Sequence, residues 1–189
     1  MEMVNRRQVL AGAAGALLAN SEALHGADGL ARSQTLDDGP TPCTPSQLPK
    51  ELRAALDRYN AASNAFMHGD PSLIQEAYSH CEDVTIFGGF GGYEHGWKKQ
   101  VEKRFEWAAA RFHGGETKTE NISLFVSPDL ACSVDLEHER SQLVGVGGTV
   151  QVDLRVTTVF RREGSQWRIV HRHADPLVKV QDAASIVRK

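Results

Sequence analysis

At 189 residues the chain is long enough for one domain with a sizeable core. A 41% hydrophobic share is ordinary for a soluble fold, and a net charge of −3 excludes a global basic field, so nucleic acid is not an expected partner. Cys43, Cys81 and Cys132 have neither metal-ligand spacing nor a disulfide framework. Cys132 reads as a small core residue, and a Cys81–Cys132 bridge is open only to an exported chain.

The chain begins with an export address. Asn5-Arg6-Arg7-Gln8-Val9-Leu10 precedes an Ala/Gly-rich apolar run to Ala19, which suits a signal peptide and is too short for a membrane span. The paired arginines resemble a twin-arginine signal, although Asn precedes them and no Lys follows. Small residues at Ser21 and Ala23, or at Gly29 and Ala31, offer cleavage sites; the alternative is an Ala-rich tail. Residues 1–31 are thus assigned to the signal and 32–47 to a Gly/Pro/Ser linker containing Cys43. A folded domain is assigned to 48–178 and a tail to 179–189.

Pro49 suits a helix first turn, and Leu52, Ala55, Leu56, Tyr59, Ala62 and Phe66 follow at helical spacing up to Gly69. Asp70-Pro71 predicts the cap of a second helix, Ser72 to about His80. Val84 to Phe87 is a short strand, and the glycine-rich stretch 88–92 a turn or bulge without phosphate-loop spacing. A third helix is predicted from Gly96 to Phe112, stopped by Gly114-Gly115. Strands follow over Thr117–Val126 and Ala131–Val144. In the second, Cys132, Val134, Leu136, His138 and Arg140 alternate with Ser133, Asp135, Glu137 and Glu139, and the apolar set is expected to face the core.

The last predicted unit is a hairpin, Val150 to Pro176, turning at Glu163-Gly164. Alternation places Val152, Leu154, Val156, Thr158, Phe160, Trp167, Ile169, His171 and His173 on one face. Gln151, Asp153, Arg155, Thr157, Arg168 and Arg172 fall on the other. The first face is a core wall carrying two histidines. The second, with Asp135, Glu137 and Glu139, is expected to be an outer surface of paired charges.

The closing run VFRREGSQWRIVHRH resembles the end of SnoaL-like domains of the nuclear transport factor 2-like superfamily. It is also similar to the end of the calcium/calmodulin-dependent kinase II association domain. The resemblance extends back to about Leu48. It implies an α+β cone, the cystatin-like or nuclear transport factor 2-like fold, with a curved antiparallel sheet packed around N-terminal helices. It further implies a small-molecule cavity, no cofactor, and a homodimer through the outer sheet face. It does not choose a reaction, because that fold serves many.

The candidate catalytic residues are His171, His173 and Asp175, the last on the parity of the histidines if the strand is regular. SnoaL-like cyclases are expected to carry a base near this strand end. Tyr59, Trp97, His138, Arg140, Thr158 and Trp167 are the candidate substrate-binding residues, with Tyr59 able to donate to an oxyanion as in ketosteroid isomerases. Those isomerases carry an aspartate on the early strand, and Val84 to Gly92 has none. A zinc reading would join His171 and His173 to His138 or Asp175, a ligand count short of a motif. Arg155-Val156-Thr157 with Val159-Phe160 also resembles metal-free iota-class carbonic anhydrases, but His173-Ala174-Asp175 stands where they are rich in serine. Two classes stay open: an exported isomerase, cyclase or dehydratase working by proton transfer, and a binding or assembly module without chemistry.

Overall fold

The computed structural model describes residues 48–187; the export signal and linker expected over residues 1–47 lie outside the described residues. Helix α1 (Lys50–Phe66) lays Leu52, Ala55, Tyr59 and Ala62 onto the sheet, one residue per turn, and Gly69 at φ 86° ends the excursion. Asp70 accepts from the Ser72 backbone N–H at 2.9 Å and opens α2 (Ser72–Ala77). This helix is shorter than predicted. Tyr78 leaves it in an extended conformation to bridge Ile169, and the Ser79 N–H donates to the Ile169 carbonyl at 2.8 Å.

Strands β1 (Thr85–Phe87) and β2 (Tyr93–His95) form a small hairpin around the glycine-rich turn. A π-helical turn, Trp97–Val101, leads into α3 (Glu102–Ala109). The sequence misplaces what comes next. Phe112 begins strand β3 (Phe112–Val126), and Gly114 and Gly115 lie inside that strand, not at a helix stop. A Cβ at Gly115 would stand 2.6 Å from the Arg140 carbonyl oxygen, so glycine serves close strand approach here. Strands β4 (Leu130–Leu143), β5 (Val150–Glu163) and β6 (Gln166–Pro176) complete one curved six-stranded sheet, ordered β2-β1-β6-β5-β4-β3. β1 joins β6 in parallel; the other pairs are antiparallel. The α+β cone expected from the resemblance is the fold observed.

The main core joins α1, α2 and α3 to the concave sheet face through Leu52, Tyr78, Val101, Phe105, Phe160, Trp167 and Ile169. Each large apolar side chain so buried contributes roughly 1.5–3 kcal/mol.

Two corrections concern faces. The β5–β6 turn is Gly164-Ser165, with Glu163 opposite Gln166. Phe160 pairs with Ile169 but Val159 pairs with His171, so Val170 is an extra residue. This bulge exchanges the two faces of β6. Trp167 and Ile169 point inward as predicted; beyond the bulge, Arg172 and Ala174 share the inward face with Thr158 and Val156. His171, His173 and Asp175 therefore lie on the convex side. β4 is also reversed relative to expectation: Ser133, Asp135, Glu137 and Glu139 are buried, opposite Thr158, Val156, Leu154 and Val152. Cys132, Val134, Leu136, His138 and Arg140 face outward, Arg140 exposed and the others half-buried. Among the described residues Cys81 and Cys132 are both free thiols.

Candidate functional site

The concave wall of β4 carries three carboxyl groups in a row, Asp135, Glu137 and Glu139, which are 6%, 3% and 7% exposed. Buried carboxylates are stable only when paired, hydrogen-bonded or protonated. Each of these uses a different one of those solutions.

Glu137 is paired. Arg172 Nη2 donates to Glu137 Oε2 at 2.5 Å, and Arg172 Nε donates to Tyr59 Oη at 2.7 Å. The Tyr59 hydroxyl in turn donates to Glu137 Oε1 at 3.1 Å. Burial opposes the Arg172 charge, but Glu137 and the neighbouring tyrosines outweigh it and hold the guanidinium ionised. Asp135 is hydrogen-bonded: Asn121 Nδ2 donates to Oδ1 at 2.7 Å and Ser133 Oγ to Oδ2 at 2.6 Å. Burial still pushes its pKa up.

Glu139 has neither kind of partner among the described residues. Burial, then the charge of Glu137, pushes its pKa up to about 7, with Arg172 pulling the other way. It lies between Thr117 of β3 and Val152 of β5 on the inner wall. Glu137, Glu139, Thr117 and Val152 line a cavity of about 260 Å³. Phe66, Phe105 and Phe112 give that cavity its apolar wall, and Gly88, Gly89 and half-exposed Phe90 close one side. A Cβ at Gly89 would press on Leu154 at 3.2 Å, so the missing side chain leaves room there. Two hydroxyls on the lining, Tyr78 Oη and Thr117 Oγ1, are buried and have no hydrogen-bond partner among the described residues. Burial pushes the Tyr78 pKa up, which keeps it a proton donor.

A second cavity, about 390 Å³, lies between α1 and the opposite reach of β3, β4 and β5. Tyr59 lines both cavities.

Of the residues expected to bind substrate, Tyr59 is at the first cavity and Thr158 at the second. The Tyr59 hydroxyl already donates to Glu137 and accepts from Arg172; the tyrosine hydroxyl without a partner among the described residues is that of Tyr78. Trp97 and Trp167 are core residues lining neither cavity, and Trp97 stacks under His80 at 4.1 Å. His138 and Arg140 are on the convex face with β4 reversed. There His138 Nδ1 meets Asp153 Oδ1 at 2.8 Å, and that bond raises the imidazole pKa. The bulge takes His171 to Thr85 Oγ1 at 2.8 Å and His173 to the edge of Phe87. Burial, then His173, lowers the His171 pKa. Asp175 is held by Arg155 through two hydrogen bonds, 3.1 and 2.5 Å. No group of three or more His, Cys, Asp or Glu among the described residues is placed to hold a metal ion.

Glu137, Glu139, Arg172 and Tyr78, which line the first cavity beside Tyr59, escaped the sequence reading. The period-two series of acids on β4 is visible in the sequence, but not the side it faces. What the cavity can do chemically is specific. A carboxyl group half-ionised near neutral pH stands in an apolar space beside two unused hydroxyls.

A family model described as SnoaL-like domain matches residues 53–178. The chain belongs to the SnoaL-like family. Solved structures agree on the fold of this SnoaL-like chain. A nuclear transport factor 2-like superfamily protein from Salmonella enterica is 20% identical with a TM-score of 0.60, covering 70% of this chain and 93% of its own. A candidate dehydratase of that family from Streptomyces avermitilis is 18% identical, TM-score 0.58, covering 68% and 96%. A candidate calcium/calmodulin-dependent protein kinase type II association domain from Thiobacillus denitrificans is 19% identical, TM-score 0.56, covering 67% and 94%. No curated protein matches the chain. No helix among the described residues is long and apolar enough to cross a membrane.

Proposed function

We propose that this SnoaL-like protein is an exported small enzyme that moves a proton on an apolar, carbonyl-bearing substrate, as an isomerase or dehydratase does. The observation that carries the reading is Glu139: buried, without a partner, held near pKa 7, and facing a cavity with two free hydroxyls. A base with that pKa is half available at neutral pH and can take a proton from carbon and return it elsewhere. Tyr78 donates to the substrate oxygen where charge develops, and Thr117 fixes the ligand's orientation. Relatives described as dehydratases share this fold, which favours the reading without choosing the substrate.

The test is exchange of α-protons of small cyclic ketones in deuterated water, followed by NMR. Glu139→Gln is expected to keep binding, measured by thermal shift, and to lower exchange by about 10²-fold or more. A ketone that binds in the cavity and exchanges equally fast on Glu139→Gln would remove Glu139 as the base. One observation favours a second reading, a binding module without turnover: the strongest polar groups on the floor, Arg172 and Tyr59, are already hydrogen-bonded to each other and to Glu137. A ligand bound tightly by the parent with no exchange decides for that reading.

Export is supported by Arg6-Arg7 and the apolar run behind them. It predicts a mature chain starting between about Leu24 and Arg32, read by N-terminal sequencing. Replacing both arginines by lysine is expected to block export. A homodimer through the convex sheet face is supported by the half-buried Cys132, Val134, Leu136 and Val159 displayed there. Light scattering tests it, with Leu136→Glu expected to yield monomers.

A further inference from the structure

The second cavity has a charge pattern of its own. Its lining combines Leu48, Leu56, Ile122 and Phe160 with a polar floor of Asn121, Ser133, Asp135 and Thr158. Asp135 is the one charged residue on that lining. Both of its carboxyl oxygens accept from neutral donors, and no ion pair reaches it among the described residues. The nearby guanidinium of Arg172 is already paired with Glu137. A buried negative charge held only by neutral donors is most stabilised by a cation brought to it.

Thr158 supplies an independent observation. It is 1% exposed, lines this cavity, and its Oγ1 has no hydrogen-bond partner among the described residues. It pairs across the sheet with Ser133, next but one to Asp135 on the inner face of β4. An orphan hydroxyl in a folded interior is destabilising, and a bound polar group relieves it. The amide of Asn121 spends its NH₂ on Ser123, Ser133 and Asp135, leaving its carbonyl oxygen as an acceptor. The bulge at Ile122 places that apolar side chain on the same lining, one residue along from Asn121.

We propose that the second cavity is a binding site for a primary alkylammonium ion. Its head group carries three N–H donors. They match the Asp135 carboxylate, the Thr158 hydroxyl and the Asn121 carbonyl, and the alkyl chain lies on Leu48, Leu56, Ile122 and Phe160. A divalent cation suits the floor less well, because one carboxylate does not neutralise it. The site goes beyond the proton-transfer reading of the first cavity and does not depend on it.

The test uses n-butylammonium chloride, with n-butanol as an uncharged match, on the full exported chain. Binding is followed by calorimetry and by shifts of the Asn121 and Thr158 amide resonances. The parent is expected to bind n-butylammonium at least tenfold more tightly than n-butanol. Asp135→Asn is expected to weaken n-butylammonium at least tenfold, and Thr158→Val, which keeps the shape of the side chain, several-fold. Glu139→Gln is expected to leave the affinity unchanged, so failure here and failure of the proton-transfer reading are separable. If Asp135→Asn does not fold, Thr158→Val and the mapped resonances carry the test. The proposal is overturned if n-butylammonium does not bind. It is also overturned if n-butanol binds equally well, if Thr158→Val binds as the parent does, or if the shifted resonances surround Glu139 instead.

Discussion

The two faces of one sheet treat charge in opposite ways. On the convex face of β4–β5–β6, His138 meets Asp153 and Arg155 meets Asp175, all side chains 32% or more exposed. On the concave face Arg172 meets Glu137 with side chains 14% and 3% exposed. The distances are similar, 2.8 and 2.5 Å outside against 2.5 Å inside. The surroundings are not. Water screens the outer pairs and competes for them, whereas the inner pair cannot be parted without stranding a charge. Proximity alone therefore says little about what a charge contributes; the face it stands on decides.

The largest expected effect comes from parting the inner pair. Arg172→Met leaves Glu137 buried and uncompensated and is expected to cost about 3–5 kcal/mol in urea unfolding. Adding Glu137→Leu is expected to recover most of that loss. A single-variant loss below about 1 kcal/mol would place the inner pair with the outer ones.

Next is the pH dependence set by Glu139. Its pKa in the folded chain is raised from the ordinary 4.5 to about 7. Between those values the folded chain holds a proton that the unfolded chain has lost, so stability is full below about 4.5 and falls as pH rises through 7. A shift of that size corresponds to about 3 kcal/mol. Glu139→Gln is expected to abolish this component, so the variant exceeds the parent in stability at pH 8 and the difference narrows toward pH 4. Parallel curves for the two proteins would show that water reaches Glu139.

Smaller still is the convex pair. Arg155→Ala is expected to cost at most about 1 kcal/mol, and the cost is expected to vanish in 1 M salt. The smallest effect is read spectroscopically. The His138 imidazole is expected to titrate above a free histidine because Asp153 holds its protonated form. Asp153→Asn is expected to bring the midpoint down, with little change in the unfolding transition.

Much of the fold was legible because its signals are local. The α1 stripe, the strand alternation and the Gly164 turn each follow from neighbours within a few residues. The inward placement of Val152, Leu154, Val156, Phe160, Trp167 and Ile169 was legible for the same reason. The candidate site was not, and two residue-level causes account for it. Val170 bulges without a glycine or proline to announce it, so regular alternation carried His171 and His173 to the wrong face. On β4, Val134 and Leu136 look like core, and acidic residues ordinarily face water. Only the pairing across the Val144–Thr149 connection, Glu137 beside Leu154 and Glu139 beside Val152, reveals the reverse. Gly114 and Gly115 misled similarly, since a helix stop and a close strand approach both favour glycine.

The bulge at Val170 has a consequence for how such a cavity diversifies. One surplus residue decides whether the end of β6 offers the interior an arginine or a pair of imidazoles. Losing it would carry Arg172 to the outside and bring His171 and His173 in, exchanging a fixed cation for two titratable bases with no substitution at any lining position. In this strand the length of the chain is itself a chemical variable. Two relatives with identical letters but one residue more or less would present different reagents to the same space.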